Sequence, residues 1–474
     1  MMKKLQFMIC LLGLLGAGAC SDYLDKESSD EVIVRTVSDY SELLLGAGYP
    51  SPSKSIYNTL YLLDDDFMLN ERNLEDDEDY TGAVNIFPFF TWQPDMWERQ
   101  EVDKSNYDEM YSSTYERIKG VNAVLDGIDE AIGDAEERDQ VKAEALALRG
   151  YYYFMLVNLY GEPYNYNKSA LGVPLKLTAD METNGKPRST VEEVYGQIVK
   201  DLSESSALFE KHAKRRGSFR VNLPTVNILL SRVYLHMEVW DEAIAAATKA
   251  IENGNLLTNY VNLPESPICI ANYNYSEVEW VYGNGNTPTR NLNAVVVSTG
   301  LREKLEANPN DTRRALWFDG NWNICKKRVS YPSGTPRMPT NSIRMSEAYL
   351  NRAEALVQDE QIGLAWDDLK HLRENRYRDY NEAKITDAGK LLEEIREERR
   401  LELCYDEVRW FDLRRYGMPS ISHQYKVRKS ASWQIYVLQE KDPLYTLPIP
   451  NEVMNENPAL RQNESANQPV RQGR

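Results

Sequence analysis

The sequence predicts an all-α protein: a tetratricopeptide-like helical-repeat scaffold carrying an irregular, loop-rich subdomain. Three observations predict it. Apolar residues recur at helical spacing through most of the chain. Two segments, 225–252 and 343–376, place small residues on both sides of a short turn, the pattern of paired antiparallel helices. Residues 255–340 lose the helical period and fill with Asn, Gly, Pro and aromatic rings.

The elements follow in order. Residues 107–129 set Tyr111, Tyr115, Ile118, Asn122, Leu125 and Ile128 along one helix face. Residues 139–160 do the same with Ala143, Leu146, Ala147, Gly150, Phe154 and Val157, and Gly161 with Pro163 ends that helix. Ser189 and Thr190 precede a third helix that buries Val191, Val194, Ile198 and Leu202. Its Glu192 and Glu193 suit the positive helix start. In 225–252, Leu229, Val233 and Tyr234 lead to Trp240, then Ala243, Ala247, Ala250 and Ile251. In 343–376, Ala348, Tyr349, Ala353 and Ala355 lead to Ala365, Leu369 and Leu372. Stacked pairs of this kind bury a continuous core. Further helices occupy 388–416, stopped by Gly417 and Pro419. Residues 50–104, 255–340 and 418–474 read as irregular. Aromatic content argues that the first two are ordered and functional.

The chain has 474 residues, 42% of them hydrophobic, enough for a substantial core. Its net charge of -18 opposes nucleic acid and anionic lipid as partners. Thirty Tyr and nine Trp serve cores and sugar-stacking platforms alike, so the count alone does not choose. Beyond Cys20 only Cys269, Cys325 and Cys404 remain, too few for a disulfide framework.

The N-terminus carries an address. Lys3 and Lys4 lead an apolar run, Leu5 to Gly16, too short to span a bilayer. Ala17, Gly18 and Ala19 then stand directly before Cys20. This reads as a bacterial lipoprotein cleavage site: 1–19 is the signal peptide and Cys20 takes the lipid. Two or three acyl chains hold a membrane far better than one, at about 0.8 kcal/mol per buried methylene.

Five segments, in order, carry a family likeness: AEALALRGYYYFMLVNLYGEPY at 143–164, STVEEVYGQIVKDL at 189–202, LLSRVYLHMEVWDEAIAAATKAI at 229–251, IREERRLELCYDEVRWFDLRRYG at 395–417 and LPIPNEVMNENPALRQN at 447–463. With the SDYLD that follows Cys20, the chain resembles the SusD/RagB family of outer-membrane nutrient-binding lipoproteins of Bacteroidetes. It departs from the family pattern at Gly150, Glu238 and the pair Asp406–Glu407. The resemblance implies a lipid-anchored protein on the cell surface, held at the outer membrane. It implies capture of oligosaccharides, or of peptides in some members, for a SusC-like TonB-dependent transporter. A purely structural transporter lid without ligand affinity is the alternative; the residues, weighed below, suggest neither cofactor nor catalysis. Helical regions 20–254 (with loop-rich 50–104) and 341–474 would mainly meet the transporter, and 255–340 would carry ligand contacts.

Sugar rings need flat aromatic faces, and their hydroxyls need polar rims. Trp92, Gln93 and Asp95 occupy positions that resemble the family's ligand loop, and Arg72 looks like the same rim. Tyr273, Trp280, Tyr282 and Trp322 alternate with Asn and Gly in the second irregular stretch. These eight are the candidate ligand-binding residues; Trp97, before a helix, reads as core.

Other chemistry finds little support. Glu398, Glu402 and Asp406 share a helix face, yet interleaved Arg399, Arg400, Arg409 and Arg414 make internal ion pairs the expected reading, as for Glu144 and Arg149. The four His (212, 236, 371 and 423) have no metal-ligand spacing. The acidic run Glu75–Asp79 lacks an EF-hand pattern and reads as a solvated loop. No G-x-S-x-G occurs, and GNGN at 283–286 lacks the Lys of a phosphate loop.

Overall fold

The computed structural model describes residues 34–50, 56–57, 59–99, 110–180, 184–212, 219–266, 268–283, 294–318, 320, 322, 327 and 341–474. Cys20, its leader, Cys325 and residues 284–286 lie outside the described residues.

Helices dominate. In chain order they are α1 Val37–Leu43, α2 Thr81–Phe90, α3 Met110–Leu125, α4 Ala135–Tyr160, α5 Tyr164–Asn167, α6 Val191–Lys211, α7 Leu223–Met237 and α8 Trp240–Asn253. There follow α9 Thr299–Ala307, α10 Arg313–Trp317, α11 Met345–Gln358, α12 Ile362–Glu374, α13 Ala388–Leu403, α14 Arg409–Arg415 and α15 Asn451–Glu456. Their starts are set by capping. Thr190 and Glu193 form a reciprocal capping box on α6, Asp134 caps α4, Asn222 caps α7 and Asp387 caps α13.

The helices pack as successive neighbours: α3 on α4, α4 on α6, α6 on α7, α7 on α8, α8 on α11, and α11 on α12 and α13. The two predicted pairs are α7/α8 and α11/α12. Glu238 makes the first turn in a left-handed conformation, φ 60°, a position that favours Gly. Gly150 also has a physical reason. A Cβ there would sit 2.8 Å from Leu202 Cγ, so its absence lets α4 and α6 close together. One principal core cluster draws residues from Val37 to Leu460.

The charged signature segment is an interior scaffold, and its partners differ from those expected. Glu402 is buried and receives Arg313, Arg344 and Arg376, none of them from its own helix. Glu398 pairs with Arg373 and Arg313, and Asp406 with Lys327 and Arg344. Arg399 goes to Asp412, while Arg400 and Arg409 reach back to Asp66 and Asp65. Arg414 finds backbone carbonyls at Asn158 and Gly161. Glu144 pairs with Arg220, and Arg149 forks onto Asp201.

Short strands occur where the sequence reads as irregular. β1 (Phe67–Leu69) pairs antiparallel with β3 (Val295–Val297), β2 (Val278–Tyr282) with β4 (Asn341–Arg344), and β5 (Ile421–Tyr425) with β6 (Gln434–Leu438). The run SEVEWVYG at 276–283 does alternate as a strand would, and β2 forms within it; the three-residue β1 and β3 give too few alternations to announce themselves by period.

Candidate functional site

The irregular segments converge on a cleft of about 740 Å³, within the range of small-molecule sites. Three elements build it. Strand β1 buries Phe67 and Leu69 and turns Met68 outward, the alternation a pleated strand imposes. Asn70 then accepts from Arg72 N at 3.3 Å and opens the short turn Glu71–Asn73. Opposite, β3 delivers the chain to α9, whose first turn is capped by Ser298 and brings Thr299, Gly300 and Arg302 to the cleft. The β5–β6 hairpin closes the third side with Ser422, His423, Gln424 and Trp433.

Trp433 is 39% exposed, and Lys426 Nζ lies 4.5 Å from its ring centroid. Lys426 also bonds Glu71 at 2.5 Å, tying the hairpin to the Arg72 turn. The acidic run sits under the same hairpin loop. Lys429 N donates to Glu75 O at 2.8 Å and Ser430 Oγ to Asp76 O at 2.6 Å; Arg428 and Lys429 face Asp79 and Asp76. The run is exposed, as expected of a solvated loop, with Asp76 and Asp79 facing basic residues at its surface.

A stacked column forms the floor. Phe90 lies on His423 at 4.0 Å between centroids, and His423 lies on Trp92 at 4.4 Å. His423 Nδ1 meets Phe90 O at 2.7 Å, and Nε2 meets Asp64 O at 2.9 Å. Burial pushes this imidazole down to about 4, against the pull of the two carbonyls. Below it, Asp65 is held down to about 2 despite its burial, because Arg409 and Arg400 flank it.

The predicted residues divide sharply. Arg72 lines the cleft. Trp92 is fully buried, one layer behind it. It caps α2 with φ 50°: Trp92 N reaches Phe89 O at 3.1 Å and Gln93 N reaches Pro88 O at 2.8 Å. Its indole donates to Leu63 O at 2.9 Å. Gln93 is also buried and clasps the backbone of Arg471. Asp95 pairs with Arg99 at 2.6 Å, outside the cleft lining. Trp280 and Tyr282 stack on each other at 4.4 Å inside the core, against Tyr151. Beside Tyr282 is a cavity of only about 10 Å³, room for one water at most. Trp322 is buried at φ 59°, under the guanidinium of Arg314 at 4.9 Å. Tyr273 is 54% exposed but away from the cleft lining. The expectation that Trp92, Gln93, Trp280, Tyr282 and Trp322 offer ligand faces is thus corrected: strand pairing, a helix cap and ring stacking draw them inward. Trp97 is core, with its indole donating to Pro448 O at 2.7 Å.

Trp433, Met68, Gln424 and Arg302 escaped the sequence reading. The run Trp433-Gln-Ile-Tyr-Val-Leu is rich in β-branched and aromatic residues, and a strand assignment there would have put a ring at a hairpin end.

Among the described residues, no group of three or more His, Cys, Asp or Glu is arranged to hold a metal ion. No described helix is long and apolar enough to cross a membrane.

Two family models match. One, described as "Starch-binding associating with outer membrane", matches residues 22–235; the other, "SusD family", matches residues 273–465. No curated protein matches the chain. Solved structures share the fold. A SusD superfamily protein from Bacteroides thetaiotaomicron superposes with TM-score 0.71 at 23% identity, covering 90% of this chain and 99% of that one. A SusD superfamily protein from Bacteroides fragilis gives 0.68 at 22%, covering 90% and 98%. A SusD-like carbohydrate binding protein from Bacteroides vulgatus gives 0.66 at 19%, covering 90% and 97%. With both family models matched in sequence order over most of its length, the chain belongs to the SusD/RagB family.

Proposed function

We propose that this protein is a lipid-anchored outer-membrane component that captures an oligosaccharide in the Arg72–Trp433 cleft and passes it to a SusC-like TonB-dependent transporter. One observation carries the reading. An exposed indole and an outward Met stand beside Arg, Asn, Ser, Thr and Gln groups in one hollow of oligosaccharide size. Pyranose C–H faces stack on the indole while hydroxyls exchange water for the polar rim. The buried column of Trp92, His423 and Phe90 holds the floor rigid, so little ordering accompanies binding. Cys20 supplies the anchor, and tethering beside the transporter raises the effective concentration of a modest binder.

Titrating the soluble protein with a panel of oligosaccharides tests the reading. Saturable binding that Trp433→Ala weakens, with an unchanged melting temperature, supports it; no binding to any sugar overturns it. Cys20→Ala should leave the membrane pellet for the soluble fraction.

A further inference from the structure

The charge inside the cleft differs in sign from the charge of the whole chain. Its lining contains Asp65, Glu71, Arg72, Arg302 and Arg400. Both acids are already matched: Asp65 by Arg409 and Arg400, Glu71 by Lys426. Arg400 is in turn engaged by Asp66 at 2.9 Å.

Arg302 stands apart. Its Nε donates to Val297 O at 2.9 Å, which fixes the guanidinium plane on the first turn of α9. Among the described residues no carboxylate lies within ion-pairing distance of it, and its two Nη groups have no protein acceptor. Partial burial holds the guanidinium below its ordinary range, and the charge of nearby Arg72 acts in the same direction, opposed by Tyr405 and Glu306. Arg302 thus brings to the lining a positive charge with no ion-pair partner among the described residues. Around it the wall adds donors. Ser298 Oγ is used by Asp65 O and Leu301 N, but Thr299 and Gly300 begin the helix, where backbone N–H groups lack helical acceptors. A Cβ at Gly300 would meet nothing within 4 Å, so the approach is open.

Resting on the oligosaccharide reading above, we infer that the cleft selects an anionic oligosaccharide: Arg302, fixed by Val297 at the edge of a hollow floored by His423 and rimmed by Trp433, receives a sugar-borne carboxylate or sulfate. A guanidinium fork matches both groups in a bidentate manner, and the indole takes the adjoining ring face. The chain's net charge of -18 does not forbid this, because exposed charges beyond about 8 Å are screened at physiological salt. Acids presented by a peptide would satisfy Arg302 but leave the indole without a pyranose face.

Calorimetry on the soluble protein uses matched pairs of probes: tetragalacturonate against its methyl ester, and a sulfated κ-carrageenan tetrasaccharide, which has no carboxylate, against its desulfated form. The inference expects at least one charged probe to bind about tenfold tighter than its neutral partner. The uronate and sulfate arms identify the group. Arg302→Gln should abolish that preference, while Arg302→Lys restores part of it. Equal affinity within both pairs, or a preference that survives Arg302→Gln, overturns the inference and leaves oligosaccharide capture standing. Binding of a poly-glutamate peptide with no sugar bound overturns both.

Discussion

Trp92 lies flat against His423, with ring centroids 4.4 Å apart and planes inclined by 22°, and no part of Trp92 is exposed. The ring that most resembled a ligand platform is therefore buried one layer beneath the floor of the cleft. Trp92→Ala should cost about 3–5 kcal/mol of stability, seen as a large fall in melting temperature. A variant that melts like the wild type but has lost sugar binding would return Trp92 to the surface of the site.

Gly150 is the clearest case of a rule of thumb reversed by packing. Ala in a helix interior gains about 1 kcal/mol over Gly. Here the added Cβ would lie 2.8 Å from Leu202 Cγ and 3.0 Å from Cδ2, and overpacking costs about 1–3 kcal/mol. Chemical denaturation should show Gly150→Ala to be less stable by roughly 1 kcal/mol. A gain in stability would mean that α4 and α6 have slack.

Glu402 holds three arginines at 2.5–3.1 Å in a fully buried setting, which keeps its carboxyl well below the usual range. Removing one member of such a cluster strands the others. Glu402→Gln should lose about 3–5 kcal/mol. The check is a thermal melt; an unaltered midpoint would contradict the scaffold role.

Acid should destabilise the protein in two stages. His236 is buried against Phe154, and burial, with Arg415 nearby, holds its imidazole well below the usual range. The unfolded imidazole titrates near 6.5. Below that pH the unfolded chain binds the proton first, so stability falls until the folded value is reached. Glu402, Glu398, Glu354 and Asp65 are likewise depressed and add a loss below about 4.5. Buried Asp311 and Asp368, raised by desolvation, oppose it. Melting temperatures should therefore decline from pH 6.5 toward 4.5, and His236→Gln should reduce that slope, leaving the share that comes from His423, whose imidazole burial also holds down, to about 4. A wild type with constant melting temperature over that range would refute the assignment.

The helical frame was legible because its signals are local. Periodicity exposed α4, α6 and the α7/α8 pair, and Thr190 with Glu193 marked a start. The ion pairs were legible in kind but not in partner: Glu402 meets Arg344 and Arg376, which lie far along the chain. The cleft was hardest. Arg72, singled out in the sequence, lines the cleft, but Trp433 joins it there only because β5–β6 folds back over the Glu75–Asp79 loop. The buried rings misled because an aromatic residue in an irregular stretch has the same sequence signature whether it faces out or in. Only long-range closure, such as Trp92 onto His423, distinguishes the two.

The most direct test is calorimetric titration of Trp433→Ala beside the wild type with whichever oligosaccharide the wild type binds. The account predicts a folded variant whose affinity falls by about tenfold or more, since one stacked ring is worth more than 1 kcal/mol. Undiminished affinity in that variant would contradict it.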